Sequence, residues 1–226
     1  MNKNINLIYS NNHLKMIDRI IVKKRLEIVK IINNQIKEHG IKEVLDIGTT
    51  ADMENESSNL IVKKLEGVNY FKSISDQEIN SPFFKKKLKK SITEKFSEEE
   101  IKEFSSDLVI SNATLEHVGN FLEQKKMVSN IINLSKKLFI ISTPNRFYPI
   151  DFHTKLPLIH WLPVSLYRKL LNLIGLKFFA KEENLNLLSE NNLRLCLKNA
   201  GVIEYEIVHI NLFGFKSNLL VFGKKY

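Results

Sequence analysis

Asp46 and Gly48 are the first residues of the chain whose types and spacing suggest chemistry. They stand at the end of the short apolar run Glu43–Ile47, which is typical of a buried parallel strand leading into a tight turn. In an open α/β sheet such a turn borders the ligand crevice, and Gly48 lets a ligand approach the backbone because it has no Cβ atom. An ordinary strand-to-loop junction has the same composition, so these residues alone leave both interpretations open.

Asp76 is the second candidate. It ends the apolar run Val68–Ser75, and a carboxylate in that place can accept hydrogen bonds from the hydroxyl groups of a ribose. It lies somewhat farther beyond Gly48 than the roughly twenty residues expected for that role. The same carboxylate could instead cap the segment that follows it.

Two histidines are candidates for acid–base chemistry, because imidazole titrates near neutral pH. His117 follows the apolar run Asp107–Ser111, and His153 lies in the proline-rich segment 143–164. A third histidine in that segment, His160, is interpreted as a packed residue. No His-Glu or His-Cys spacing resembles a metal site, so no metal is expected.

The elements that must position these residues alternate between helices and strands. Apolar residues at helical spacing predict helices at Leu14–His39, Ser57–Leu65, after Ser97, and at Phe121–Leu134 and Ser189–Ala200. Apolar runs predict strands at Glu43–Ile47, Val68–Ser75, Asp107–Ser111, Lys137–Ser142, Ile203–Ile210 and Ser217–Phe222, with Ser91–Thr93 as a candidate edge strand. This alternation predicts a parallel sheet, and the short connection between the last two strands makes that pair antiparallel.

Three segments fall outside this alternation. The lysine block Lys85–Lys90 is interpreted as a solvated surface segment. Segment 143–164 carries four prolines and several aromatic residues, which favours a lid or substrate wall over the crevice. Ser165–Phe179 is an amphipathic basic segment that could lie on a membrane surface or cover the sheet.

Length and composition fit one α/β domain with a full hydrophobic core. The chain has 226 residues, of which 43% are hydrophobic and 26% are charged. The single cysteine, Cys196, excludes an internal disulfide, so a cytoplasmic location is expected. The first ten residues lack a signal-peptide pattern, and no run of about twenty apolar residues predicts a membrane span. The net charge of +9 could favour an anionic partner, although the lysine-rich composition dilutes that signal.

Four motifs give the chain a resemblance to a known family. They are VLDIG at Val44–Gly48, DLVISNATLEHV at Asp107–Val118, STPNR at Ser142–Arg146 and SNLLVFGKK at Ser217–Lys225. Together with a parallel sheet that ends in a hairpin, they resemble the class I S-adenosylmethionine-dependent methyltransferases, and the closing strand is similar to that of the type 11 group. The implied fold is α/β, a Rossmann-like doubly wound, mostly parallel seven-stranded sheet with an antiparallel C-terminal hairpin.

The resemblance also implies a division of the chain and roles for single residues. An N-terminal helical segment, 1–40, would pack on a methyltransferase domain, 41–226, whose lid is 143–164. The residues expected to bind the cofactor S-adenosylmethionine are Asp46, Ile47, Gly48, Thr49, Asp76, Ser111, Asn112 and Leu115. Those expected to bind the methyl acceptor are Asn145, Arg146 and Phe152, and the candidate catalytic residues are His153 and His117.

One departure from the family pattern bears on cofactor binding. The glycine-rich turn of the family usually continues with two more glycines, whereas this chain has Thr49-Thr50-Ala51-Asp52. Side chains at these positions could restrict access to the cofactor, or their hydroxyl groups could replace backbone contacts.

The reaction implied is transfer of a methyl group to an oxygen of a small molecule, a glycan precursor or a lipid-linked acceptor. A catalytically inactive binding protein is the first alternative, because of the missing glycines. An RNA methyltransferase is a weaker alternative, suggested by the net charge of +9. A nucleic-acid partner is not expected, because neither an RNA-binding extension nor an Asn-Pro-Pro-aromatic motif is visible. The sequence indicates no oligomeric state.

Overall fold

A computed structural model describes residues 12–55 and 57–224 of the chain. The strands are β1 (Glu43–Ile47), β2 (Tyr70–Ser75), β3 (Lys86–Lys89), β4 (Ser106–Asn112), β5 (Ser135–Pro144), β6 (Tyr205–Leu212) and β7 (Phe215–Lys224). Within the described residues they form one seven-stranded sheet in the order β3-β2-β1-β4-β5-β7-β6. The pairs among β1 to β5 are parallel, and β7 is antiparallel to both β5 and β6. The predicted fold class is therefore confirmed.

Helices cover both faces of this sheet. They are α1 (Asn12–Glu38), α2 (Leu60–Lys63), α3 (Glu98–Phe104), α4 (Phe121–Leu134), α5 (Val164–Leu173), α6 (Lys177–Ala180) and α7 (Glu190–Asn199), with 3₁₀ turns at Leu115–His117 and Ile159–Trp161. Among these described helices, none combines the length and the apolar composition that crossing a membrane requires. The interpretation of the first ten residues as lacking a signal peptide lies outside the described part of the chain.

Local sequence explains where the helices begin. At α3 the Ser97 hydroxyl accepts from the Glu100 amide at 3.1 Å, and the Glu100 carboxylate accepts from the Ser97 amide at 2.8 Å. This reciprocal pair satisfies two backbone donors that a helix start leaves unpaired, as the sequence predicts. Asn120 caps α4 in a similar way through its side-chain oxygen.

The hydrophobic core lies in two layers with the sheet between them. Successive strand residues point to opposite faces, so Val44 packs in the layer that contains α1, whereas Leu45 packs in the layer that contains α4 and α7. Within the first layer, Ile28, Ile32 and Ile36 of α1 are buried. Both faces of the parallel strands are therefore covered, as such strands require.

The edge strand β3 corrects one sequence interpretation and adds to another. Ser91–Thr93, the candidate edge strand, lies outside every strand. The lysine block forms β3 but lies at the surface, as expected. Within β3, Leu88 packs on the core while Lys87 and Lys89 are exposed. A charged edge strand suits this place, because exposed lysines discourage pairing with other chains.

Two predicted helices are shorter than expected for local reasons. Asn59 has a left-handed backbone (φ 53°), so α2 begins only after it. The amphipathic segment predicted at 165–179 is split into α5 and α6, and Gly175 adopts φ +84° in the gap between them. Glycine adopts this conformation without the steric cost that a side chain would add.

Candidate active site

The carboxyl ends of β1, β2 and β4 meet at one edge of the sheet. In the registers of these strands, Ile47 lies between Ile74 of β2 and Ser111 of β4. The turns that follow the three strands therefore open onto the same side of the molecule. This is the edge at which an open α/β sheet forms its ligand crevice.

Three of the cavities in the described part of the chain border this edge. The β2 cavity, of about 380 Å³, is lined by Gly48, Asp76 and Gln77 among others. The α2 cavity, of about 290 Å³, is lined by residues that include Asp46 and Gly48. The lid cavity, of about 370 Å³, is named after the predicted lid, segment 143–164, which borders it at residues that include His153. All three are bordered by Ala113, so they meet around the turn after β4.

The turn after β4 is locked against the turn after β1. Ala113 adopts a left-handed backbone (φ 52°), and its amide donates to the carbonyl of Ser142 at 2.8 Å. The Thr114 side chain occupies the space where a Cβ on Gly48 would lie, and Gly48 itself has φ +83°. Gly48 is therefore needed both for its backbone conformation and for this close approach.

Asp46 lies buried beneath the β1 turn. Burial raises the pKa of its carboxyl to about 6, although a hydrogen bond from Thr49 acts in the opposite direction. The Thr49 hydroxyl donates to Asp46 Oδ2 at 2.6 Å, and the Thr49 carbonyl accepts from the Ser75 hydroxyl at 2.7 Å. The Thr49 side chain is therefore turned toward the carboxylate below the turn rather than outward.

Side-chain amides of Asn59 and Gln77 hold the next two residues of the loop after β1, Thr50 and Ala51. Asn59 accepts from the Thr50 amide at 2.9 Å and donates to the Thr50 carbonyl at 2.9 Å. Gln77 accepts from the Ala51 amide at 3.0 Å. Sequence reasoning missed Asn59 and Gln77, because no local pattern indicates that a distant amide will replace the turn that glycines usually form.

The other residues that are expected to bind the cofactor differ in how deeply they are buried. Asp76 is exposed and lines the β2 cavity, and Asn112 borders both the α2 cavity and the lid cavity. Ile47 is buried and borders the α2 cavity. Ser111 and Leu115 are buried in the sheet and in the core beneath it, respectively. The predicted contacts of these residues with a cofactor stay predictions.

His117 and His153 are in contact with each other, and both line the lid cavity. Their Nε2 atoms are 3.1 Å apart. His117 Nδ1 lies 2.7 Å from the carbonyl of Asn184, and His153 Nδ1 lies 3.1 Å from Asp151 Oδ1. Each ring is therefore fixed by a partner on the side away from the other ring.

Two buried carboxylates support this pair. Asp151 accepts from the Thr154 hydroxyl at 2.7 Å and from the Tyr167 hydroxyl at 3.0 Å. Burial alone would raise the pKa of Asp151, but hydrogen bonds from His153 and Thr154 hold that pKa well below its usual range. The carboxylate is thus ionised at neutral pH.

Glu116 is the second buried carboxylate, and its side chain is 0% exposed. Its Oε2 accepts from the Thr143 hydroxyl at 2.9 Å, while its Oε1 has no hydrogen-bond partner and lies 3.8 Å from His153 Nε2. Sequence reasoning missed both Glu116 and Asp151. Their adjacency to the candidate histidines is the signal that could have found them.

The residues expected to bind an acceptor have different surroundings. Phe152 lines the lid cavity and stacks on Tyr148, with ring centroids 5.0 Å apart. Arg146 donates to the carbonyls of His160 and Leu162, and Asn145 Nδ2 donates to the carbonyl of Lys216 at 2.9 Å. Arg146 and Asn145 thus hold backbone around the lid, and their role in binding an acceptor stays a prediction.

No protein-family model and no curated protein matches the chain, so its relatives are found by structure. The magnesium protoporphyrin IX methyltransferase of Synechocystis PCC 6803, crystallised with bound S-adenosylmethionine, matches with a TM-score of 0.56 and 12% identity over 97% of this chain and 88% of that one. The N-methyltransferase NodS of Bradyrhizobium japonicum WM9 matches with a TM-score of 0.51 and 10% identity over 92% of this chain and 95% of that one. The N-terminal domain of EvdMO1, with S-adenosylhomocysteine bound, matches with a TM-score of 0.53 and 14% identity over 88% and 81%. The chain therefore has the fold of the class I S-adenosylmethionine-dependent methyltransferases.

The raised pKa of Asp46 leads to a test of stability against pH. The folded-state pKa of about 6 exceeds the unfolded value near 3.8, so ionised Asp46 destabilises the fold above pH 6, and this cost disappears as pH falls toward 4. We expect Asp46→Asn to raise the free energy of unfolding by roughly 2 kcal/mol more at pH 7.5 than at pH 4.5. Urea unfolding of variant and parent at both pH values measures this difference.

Asp52→Asn is the matched control, because Asp52 lies in the loop that follows β1 and is exposed. Backbone hydrogen bonds from Asn55 and Glu54 lower the pKa of Asp52. The control should therefore show the opposite sign, with any loss of stability greater at the higher pH. An Asp46→Asn effect that is equal at both pH values would contradict the assigned burial of an ionisable Asp46.

Proposed function

We propose that the chain is an S-adenosylmethionine-dependent methyltransferase that methylates an oxygen atom of a small molecule. The observation that carries this proposal is the meeting of the β2, α2 and lid cavities around Ala113. Such an arrangement gives a donor and an acceptor separate binding spaces with a shared border. The fold shared with the methyltransferases supports the same conclusion.

The residues present fit the proposed cofactor. S-adenosylmethionine ends in a zwitterionic amino-acid group, and the residues that line the α2 cavity include the acidic Asp46 and the basic Arg25. Asp76 offers an exposed carboxylate to the ribose hydroxyls in the β2 cavity. Thr49, which replaces a family glycine, keeps its hydroxyl on Asp46 and so leaves the cavity side of the turn accessible.

Catalysis in this proposal depends mainly on alignment. The bound cofactor would supply an electrophilic methyl group on its sulfonium. The chain's task is then to hold the acceptor in line with that methyl group, an effect that can contribute roughly 7 to 11 kcal/mol. The lid contributes by covering the acceptor, with Phe152 lining the cavity and Arg146 holding the lid backbone.

The histidine pair favours an oxygen acceptor. A hydroxyl group must lose its proton as it is methylated, and a base near neutral pKa accelerates such a step by about 10²- to 10⁴-fold. His153 lines the lid cavity, and Nε2 is its nitrogen for acid–base chemistry because Asp151 holds its Nδ1. His117 lines both the lid cavity and the β2 cavity, which places it between the two proposed ligands.

The acceptor is proposed to be a small molecule, with a glycan precursor or a lipid-linked compound included. Lys24 and Lys155 bring positive charge to the lid cavity, while Pro144 and Phe152 bring apolar surface. This mixture suits an acceptor that carries both polar and apolar groups.

Contact with a membrane surface is a proposal for segment 165–179. Its exposed apolar residues are Leu166, Leu173, Ile174 and Phe178, and its basic residues are Arg168, Lys169 and Lys177. Such a combination binds anionic bilayers by apolar burial and charge attraction. In co-sedimentation with anionic lipid vesicles, the parent should be found in the pellet and Phe178→Glu in the supernatant. A parent that stays in the supernatant would contradict the proposed membrane contact.

A binding protein without catalysis is the second candidate, favoured by the absence of the usual glycines after Gly48. The release of S-adenosylhomocysteine in the presence of a panel of hydroxylated small molecules tests the main proposal. Calorimetric titration with S-adenosylmethionine separates the outcomes. Binding without release for any acceptor would favour the second candidate.

Asp76→Ala tests the assignment of the ribose site. We expect the variant to bind S-adenosylmethionine at least about 10-fold more weakly, because a charged hydrogen bond contributes about 1.5 to 3 kcal/mol. Calorimetric titration measures the change. Glu78→Ala is the control, since Glu78 is an exposed acidic residue of the same loop that pairs with Lys89 and does not line the β2 cavity. Equal affinities in Asp76→Ala and Glu78→Ala would refute the assignment.

His153→Ala tests the role of the pair in methyl transfer. We expect kcat to fall by about 10²-fold or more with little change in affinity for S-adenosylmethionine. Steady-state turnover and calorimetry measure the two quantities. His209→Ala is the control, because His209 pairs with Glu190 away from the three cavities. A His153→Ala variant that turns over as fast as the control would remove His153 from the reaction.

A further inference from the structure

The partners of the two histidines fix where their protons lie. The carbonyl of Asn184 can only accept, so His117 Nδ1 donates to it. Asp151 Oδ1 accepts from the His153 amide at 2.9 Å and lies 3.1 Å from His153 Nδ1, so this ring nitrogen donates to the same acceptor oxygen. In neutral imidazole the second nitrogen then carries a lone pair. Two lone pairs therefore face each other across 3.1 Å, and this arrangement needs a cation between them.

Glu116 indicates which kind of cation this is. Its Oε1 is buried, has no hydrogen-bond partner and lies 3.8 Å from His153 Nε2. A proton shared between the rings would leave this oxygen unsatisfied, which is costly for a buried polar group. An ion bound to all three atoms would satisfy the two lone pairs and the carboxylate together.

We propose that Glu116, His117 and His153 form a binding site for one divalent transition-metal ion. Each of the three residues offers one ligand atom within 4.8 Å of the ligand atoms of the other two. His153 Nε2 lies 3.1 Å from His117 Nε2 and 3.8 Å from Glu116 Oε1. Metal–ligand bonds of about 2.0 to 2.2 Å in a tetrahedron place neighbouring ligands roughly 3.3 Å apart. The distances of 3.1 Å and 3.8 Å bracket that value.

The ligand types select the class of ion. Two imidazoles and one carboxylate suit Zn²⁺, Fe²⁺ or Mn²⁺, whereas Ca²⁺ and Mg²⁺ prefer ligand sets made of oxygen alone. The outer partners have the form that such sites use. Asp151 and the carbonyl of Asn184 hold the far nitrogens, which fixes the rings with Nε2 directed at the ion.

The site has an open side toward the lid cavity, which both histidines line. We assign the ion a role in binding the acceptor, and this assignment rests on the proposed function. With both Nε2 atoms bound to the ion, the ion would take over from a free imidazole the task of activating the acceptor. A hydroxyl bound to the ion would lose its proton to water more readily, because a bound cation lowers the pKa of an attached hydroxyl. Its oxygen would then form the new bond to the methyl carbon as the bond from that carbon to sulfur breaks, giving S-adenosylhomocysteine.

The test is metal titration of the full, tag-free chain after removal of metals with a chelator. We expect one Co²⁺ or Zn²⁺ per chain, seen as visible absorption of Co²⁺ that Zn²⁺ displaces. The bound ion should also raise the midpoint of thermal unfolding. Glu116→Gln keeps the shape of the side chain and should bind the metal ion at least about 10-fold more weakly than the parent. His117→Asn should lower the affinity for the ion by roughly 100-fold or more.

His209→Ala is again the control, because it removes a histidine that pairs with a carboxylate outside the three-residue site. It should bind as tightly as the parent, and circular dichroism should show that all variants are folded. The proposal would be overturned if the folded parent binds no metal, or if His209→Ala weakens metal binding as much as Glu116→Gln and His117→Asn do. A proton shared between the two rings would then be the cation. Calorimetry with S-adenosylmethionine on the metal-free chain keeps this result separate from a failure of the proposed function.

Discussion

The close approach of the turns after β1 and β4 is the constraint on which the site depends. Gly48 has no Cβ, so the Thr114 side chain can fill the space beside it. This contact places Ala113 where the three cavities meet. Ala113 holds a left-handed backbone there, which costs a residue with a side chain roughly 1 kcal/mol or more. Strain of this kind persists where the surrounding structure fixes it, and it is common at functional sites.

The fold also buries carboxyl groups at positions where they lower its stability. Asp46 is buried under the β1 turn with a raised pKa, and Glu116 is buried with one oxygen unpaired. Asp151 differs, because several hydrogen bonds stabilise its ionised form. A ligand could stabilise both of these carboxyl groups, Asp46 from the α2 cavity and Glu116 from beside the lid cavity. A fold selected for stability alone would place apolar groups there.

The parts of this structure that were predictable have local causes. Alternating burial indicates the strands, and capping residues indicate where helices begin. The capping box that Ser97 forms with Glu100 at the start of α3 is an example. The motifs at the ends of β1 and β4 pointed to Gly48 and Asn112 for the same reason. The lysine-rich β3 was missed, because its strand character comes from pairing with β2 rather than from its own composition.

The site itself was only partly predictable, because its contacts join distant parts of the chain. His117 and His153 were each candidates, but their sequence separation conceals that their rings meet. The carbonyl of Asn184, 67 residues from His117, fixes the tautomer and has no sequence signature at all. Glu116 and Asp151 could have been noticed as neighbours of the histidines, yet the sequence does not show that both are buried.

A crystal structure of the protein grown with saturating S-adenosylhomocysteine tests the central claim most directly. The account predicts density that runs from Asp76 in the β2 cavity, past Gly48 and Ala113, to Asp46 in the α2 cavity, with the lid cavity left for an acceptor. Density at another surface, or none in these cavities at saturation, would contradict the account.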